Sequence, residues 1–170
     1  MTDITIRRLR PEDWPCLRAI RLLALRTEPG VFSGSLEAAE AQPASWWQAL
    51  TTGTPHQAFG AFAGADMVGV VTAFTWNDDP TGGTAFLGML FVAASHRGQG
   101  LASRLMAAAM AWVRAQPRFH RAIVGHRDGN VASMRAIERQ GFVVTRRSGK
   151  IWPDGGVADE VDYALEWGRE

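Results

Sequence analysis

The sequence is short of the residues that staple small secreted folds or build metal clusters. Of its 170 residues only Cys16 is a cysteine, so no disulfide can close within the chain and no cysteine-based metal site can form. No metal is expected, and a reducing, cytoplasmic setting fits that usage. An excess of one charge is missing too: 18 Lys and Arg stand against 17 Asp and Glu, a formal net charge of +1. No global field therefore draws the chain onto nucleic acid or an anionic membrane. Long apolar runs are absent, with nothing near the ~18 uninterrupted apolar residues of a membrane span. Residues 1–7 alternate apolar and polar where an export signal needs a continuous apolar stretch. Tyrosine occurs once, as Tyr163.

What is present is an ordinary globular balance, 46% hydrophobic and 21% charged, over a length that suits a single domain spanning residues 1–170. Ile4 and Ile6 share one face of a short strand. Pro11-Glu12-Asp13 opens a helix carrying Trp14, Leu17, Ile20 and Ala24 at helical spacing, which stops at Thr27-Glu28-Pro29-Gly30. Residues 30–43 read as loop, and a short helix carries Trp46, Trp47 and Leu50. Residues 58–63 and 67–76 form a hairpin about Gly64-Ala65-Asp66, and 84–92 is a further strand. Leu101, Leu105, Ala108 and Trp112 mark a long helix ending near Gln116-Pro117; then come a strand over 119–126, a helix over 130–140, a strand over 142–145, a loop over 147–156 and a strand over 159–167. Trp14, Trp112 and Trp167 fall on periodic apolar faces and belong to the core.

The chemistry concentrates in a buried strand that runs through Arg97-Gly98-Gln99-Gly100-Leu101-Ala102 into the long helix. The first amides of a helix lack intrahelical acceptors and carry the positive end of its dipole. Gly98 and Gly100 remove the side chains that would hold a ligand off, and the Arg97 guanidinium adds a charged donor fork. A diphosphate suits such a loop.

That segment resembles the signature of the GNAT superfamily of acetyltransferases, Gln/Arg-x-x-Gly-x-Gly/Ala between a strand and a helix, and matches it at every specified position. Asn130, Ser133 and Gly141-Phe142 resemble a second element of the same superfamily. The resemblance implies an α/β fold: a mostly antiparallel sheet of about seven strands with one splayed pair, flanked by about four helices. It also implies an acetyl-CoA-dependent N-acetyltransferase acting by direct attack in a ternary complex. By similarity, the backbone of Leu90, Phe91 and Val92 would pair with the pantetheine arm, and the Leu90 amide would polarise the thioester carbonyl. The amides of Arg97, Gly98, Gln99, Gly100, Leu101 and Ala102 would hold the pyrophosphate, with Asn130 and Ser133 across the cleft. Gly88 is where a bulge would bend the strand.

Two positions depart from the superfamily pattern. Its strand glutamate falls at Phe86 and its helix tyrosine at Ile137. A lysine-like amine has a pKa of about 10.4 and needs a base or water relay; His126 and Glu28 are the candidates, with Asp78, Asp79, Asp159 and Glu160 further options. Phe32, Trp46, Trp47 and Trp152 would wall the acceptor pocket, and Arg135, Arg139, Arg146, Arg147 and Lys150 form a basic cluster able to attract the 3′-phosphate of CoA or an acidic acceptor. The acceptor would be a small-molecule or peptide amine, and a homodimer would form through the late strands. Two alternatives stay open: a catalytically silent acyl-CoA sensor on the same fold, and a dinucleotide-binding oxidoreductase, since Gly98-x-Gly100 partly imitates that fingerprint.

Overall fold

The computed structural model describes residues 2–168. Strands β1 (Ile4–Arg8), β2 (Gln57–Ala63), β3 (Asp66–Thr75), β4 (Thr84–Val92), β5 (Arg121–Arg127), β6 (Val143–Ile151) and β7 (Val157–Glu166) join one sheet in the spatial order β1-β2-β3-β4-β5-β7-β6. Neighbours run antiparallel except β4 and β5, which are parallel. Among the described residues are five α-helices: α1 (Trp14–Thr27), α2 (Leu36–Glu40), α3 (Ala44–Ala49), α4 (Leu101–Ala115) and α5 (Val131–Glu138). None is long and apolar enough to cross a membrane.

The central strands are buried on both faces, so neighbouring residues serve opposite cores. In β3, Val71 packs under α4 with Leu105, Met106, Ala109 and Val113. Its neighbour Val70 packs on the other side with Leu17, Ile20 and Ala24 of α1 and Trp47 of α3. Fully burying a side chain such as Leu105 contributes roughly 1.5–3 kcal/mol, and truncating it to alanine costs about 2–5 kcal/mol. Trp14, Trp112 and Trp167 are partly buried against these two clusters. Asp13 fixes the entry to α1: it accepts from the Arg10 amide at 2.7 Å and pairs with Arg7 of β1 at 2.8 Å.

The structure corrects three sequence expectations. The loop over 30–43 contains α2, whose N-cap Ser35 hydroxyl accepts from the Ala38 amide at 3.1 Å, which raises the helix count from four to five. The loop over 147–156 shrinks because β6 runs on to Ile151 and pairs with β7 as far as Val157. β6 is an edge strand with mostly exposed side chains, so it has no apolar alternation to read; its backbone ladder and the Arg146–Asp162 and Lys150–Glu160 pairs hold it. The bend in β4 lies just past Gly88. Thr72 faces Gly88 and Val70 faces Phe91, so Met89 and Leu90 stand opposite the single residue Val71, and Met89 carries a φ of 60°. Two residues against one is a bulge, which bends the strand.

Candidate active site

The β4–β5 ladder is short: Thr84, Ala85 and Phe86 pair with Arg121, Ala122 and Ile123, and there it stops. Past that point the bulged β4 turns away while β5 stays on β7 through Arg127. Met89 and Leu90 have no register partner on β3 or on β5. Buried backbone donors and acceptors require partners, so the splay is a slot in the middle of the sheet that an extended polar chain can fill as a strand would. Two adjoining cavities open from it, about 430 and 690 Å³, sharing Val31, Phe32, Leu90, Asn130 and Ser133 along their common wall.

The smaller cavity opens at the glycine loop and has the form of an anion cradle. Gly98 and Gly100 take φ of 77° and 73°, and a Cβ at either would meet nothing within 4 Å. Gly100 is also the N-cap of α4 and brings no side chain to its first turn, so the uncapped first-turn amides belong to residues that line the cavity, Leu101, Ala102 and Ser103. Arg135 and Arg139 line it from α5 and beyond, which divides the basic cluster: Arg146, Arg147 and Lys150 instead pair with Asp162, Asp128 and Glu160. Phe91 and Val92 line this cavity, whereas Gln99 is exposed and does not.

Arg97 lines this cavity, and its guanidinium already has partners within the chain. Its Nε donates to the Val92 carbonyl at 2.9 Å and its Nη2 to Glu28 at 2.6 Å. The guanidinium thus ties the loop to β4 and to the end of α1. Glu28 is placed with the anion cradle, held by a cation, and not with His126. Asn130 caps α5, its carbonyl oxygen accepting from the Ser133 amide at 3.2 Å.

The larger cavity holds His126 and Tyr163. His126 is buried near the end of β5, with Nδ1 2.7 Å from the Arg127 carbonyl and Nε2 3.0 Å from the Tyr163 hydroxyl. A carbonyl only accepts, so Nδ1 carries the hydrogen of the neutral ring and Nε2 accepts from the tyrosine. Burial pushes the Tyr163 phenol above its usual pKa. The cross-strand register sets Val124 opposite Tyr163 and His126 opposite Val161, which makes the two rings diagonal neighbours on one face of the sheet. Ile137 lines the same cavity.

Of the four expected walls, Phe32 and Trp152 line this cavity. Trp46 and Trp47 do not: Trp47 is fully buried in the α1–α3 core, and Trp46 packs on the same core edge-on to it at 4.8 Å. In their place stand Phe74, Trp76 and Phe86, with Phe86 5.2 Å from Trp76 and 6.0 Å from Phe74. Pairing β3 with β4 at Phe74–Phe86 assembles that group, and alternation along both strands was the signal for it. Asp79, another candidate base, is tied to Thr81 and Thr84 hydroxyls that hold its carboxyl down at about 2.

A glycine-rich helix mouth, an open slot in the sheet and a second cavity at its end make a site of the kind an acyltransferase has. The sequence profile of the acetyltransferase (GNAT) family matches residues 12–142, and the chain belongs to that family. No curated protein sequence matches significantly. Among solved structures it is similar to a GNAT-family acetyltransferase from Streptococcus pneumoniae, with TM-score 0.82 and 17% identity, covering 97% of this chain and 100% of the other. It is also similar to yncA of Salmonella typhimurium, solved with acetyl-CoA as its cofactor, with TM-score 0.79, 18% identity and coverages of 98% and 95%. A ribosomal-protein-alanine N-acetyltransferase from Brucella melitensis aligns with TM-score 0.76, 20% identity and coverages of 96% and 99%. The open, mostly antiparallel sheet is not the doubly wound parallel sheet of a dinucleotide-binding oxidoreductase.

Proposed function

We propose that this protein is a single-domain N-acetyltransferase that moves the acetyl group of acetyl-CoA to an amine by direct attack in a ternary complex. The observation that carries the reading is the unpaired Met89–Leu90 bulge, which lies between the anion cradle and the aromatic cavity. The donor supplies an activated acyl carbon on a thiol leaving group of pKa about 8.5, taking cysteine as its model, so departure needs little acid help. The residues of the chain do the rest. The first-turn amides of α4 hold the pyrophosphate, Arg135 and Arg139 add charge, and Leu90 offers its N–H where the carbonyl oxygen gains negative charge.

Tyr163 and His126 form the proton relay. The tyrosine oxygen accepts the amine proton as its own passes to His126 Nε2, and the Arg127 carbonyl steadies the Nδ1–H of the resulting imidazolium. Tyr163 thereby brings a hydroxyl into the cavity lined by Ile137, which weakens the case for a silent sensor. A second copy pairing along the β6 edge, where Val143, Val144 and Ile151 are exposed, makes a homodimer that light scattering would read as twice the chain mass. The balanced charge and lone free cysteine support a cytoplasmic enzyme without nucleic-acid or membrane partners. The function is tested by following CoA release from acetyl-CoA over a panel of primary amines. Amine-dependent release with matching acetylated product is expected, and release that no amine accelerates would overturn the reading.

A further inference from the structure

Arg21 lies inside the protein, 9% exposed, on the face of α1 that looks into the larger cavity. Its Nη1 is buried without a hydrogen-bond partner, and no acidic side chain among the described residues pairs with it. The guanidinium instead lies 4.9 Å from the centre of the Phe32 ring. Gly34 closes over it, and a Cβ there would come within 3.0 Å of Nη2. The carboxylates of this cavity are already engaged, Glu160 by Lys150 at 2.8 Å and Asp162 by Arg146 at 3.2 Å. The other two arginines in the wall each have an acidic partner, Arg121 with Glu166 at 3.3 Å and Arg146 with Asp162 at 3.2 Å.

A buried cation without an anion is unfavourable, because solvation is lost and nothing replaces it. Burial accordingly lowers the Arg21 pKa to about 10, still charged at neutral pH. A planar guanidinium with free donors is matched in shape and charge by one carboxylate. Phe74, Trp76 and Phe86 form an apolar wall of the same cavity.

We propose that the acceptor is a zwitterionic amine of the amino-acid class, its carboxylate held by Arg21 and its apolar side chain against Phe74, Trp76 and Phe86. The inference rests on the N-acetyltransferase reading and specifies its substrate. It excludes simple alkyl amines and polycationic acceptors as preferred substrates, since neither brings an anion to Arg21.

The test compares L-phenylalanine, L-leucine and L-methionine with their carboxamides as acceptors, by CoA release from acetyl-CoA. Charge-assisted hydrogen bonds predict that the free acids are favoured in kcat/KM by about 10- to 100-fold, mostly through KM. In Arg21→Met the preference disappears because the acids fall while the amides stay level, and Arg21→Lys restores part of it. Arg21→Met also melts no lower than the native protein, because an unpaired buried charge has been removed; that separates lost recognition from lost folding. Equal use of acids and amides, or an equal fall for both in Arg21→Met, overturns the proposal. So does a lack of turnover with every free acid while acetyl-CoA still raises the melting temperature. Absence of any acetyl-CoA effect would instead remove the transferase reading beneath it.

Discussion

Tyr163 is the only tyrosine in the chain, and its hydroxyl lies 3.0 Å from a histidine whose other nitrogen is fixed on a backbone carbonyl. Tyr163→Phe and His126→Gln should each lower kcat by roughly 10²–10⁴-fold while leaving the acetyl-CoA dissociation constant unchanged. The double variant should be little worse than either single one, as the proposed relay, in which both groups act as a unit, requires. Glu28→Gln supplies the contrast: a half-exposed ion pair with Arg97 is worth about 0–1 kcal/mol, so kcat should stay within a few-fold. Steady-state kinetics on the three variants would reverse the assignment if Glu28→Gln were the crippled one. Sequence reasoning reached His126 through its strand position but not its partner, since the register that joins β5 to β7 is a tertiary fact. Arg21 was hidden for a related reason. An arginine in an otherwise regular helix reads as surface, and only the packing of the loop around Phe32 and Gly34 shows that it is buried.

At the scale of elements, β4 carries the site because it is imperfect. A non-glycine residue at φ 60° costs on the order of 1–3 kcal/mol, and a β-branched side chain fits that region worst. Met89→Val should therefore lose about 1–2 kcal/mol in urea unfolding and weaken acetyl-CoA binding, with calorimetry as the check; unchanged affinity would mean that the bulge does not position the donor. The entry to α1 offers a test against pH. Arg7 holds the Asp13 carboxyl below its usual pKa, chiefly by their hydrogen bond. A depressed carboxylate pKa stabilises the fold above its unfolded value, ~3.9, and that stability is lost as pH falls through the folded value. Asp13→Asn should cost about 1 kcal/mol or less at pH 7, given partial solvent screening, and nothing once both forms are protonated. Denaturation curves with a gap independent of pH would contradict this. The strands and long helices were legible because they are buried with clear periodicity. The second half of β6 and the whole of α2 were not: one is a polar edge held by backbone pairing, and the other is a single short turn set by a serine cap.

For the whole molecule, the sheet divides the interior into two hydrophobic clusters, one under α4 and one under α1 and α3, each anchored on alternate residues of the same strands. Two well-packed sides let the middle of the sheet stay open without loss of the fold, and the opening joins the smaller cavity to the larger. The glycine loop and the element order were legible from sequence because binding there depends on backbone, which glycines report. The wall of the larger cavity comes from many separate stretches of chain and was legible only in fragments. The central claim is that this opening takes acetyl-CoA, and the direct measurement is the melting temperature with acetyl-CoA beside equal concentrations of NAD and ATP. At 100 times its dissociation constant a ligand adds about 2.7 kcal/mol, and a domain of this size gains roughly 2–4 °C per kcal/mol. A rise of about 5–10 °C with acetyl-CoA alone is predicted on that basis; no rise with acetyl-CoA, or an equal rise with NAD, would contradict the account.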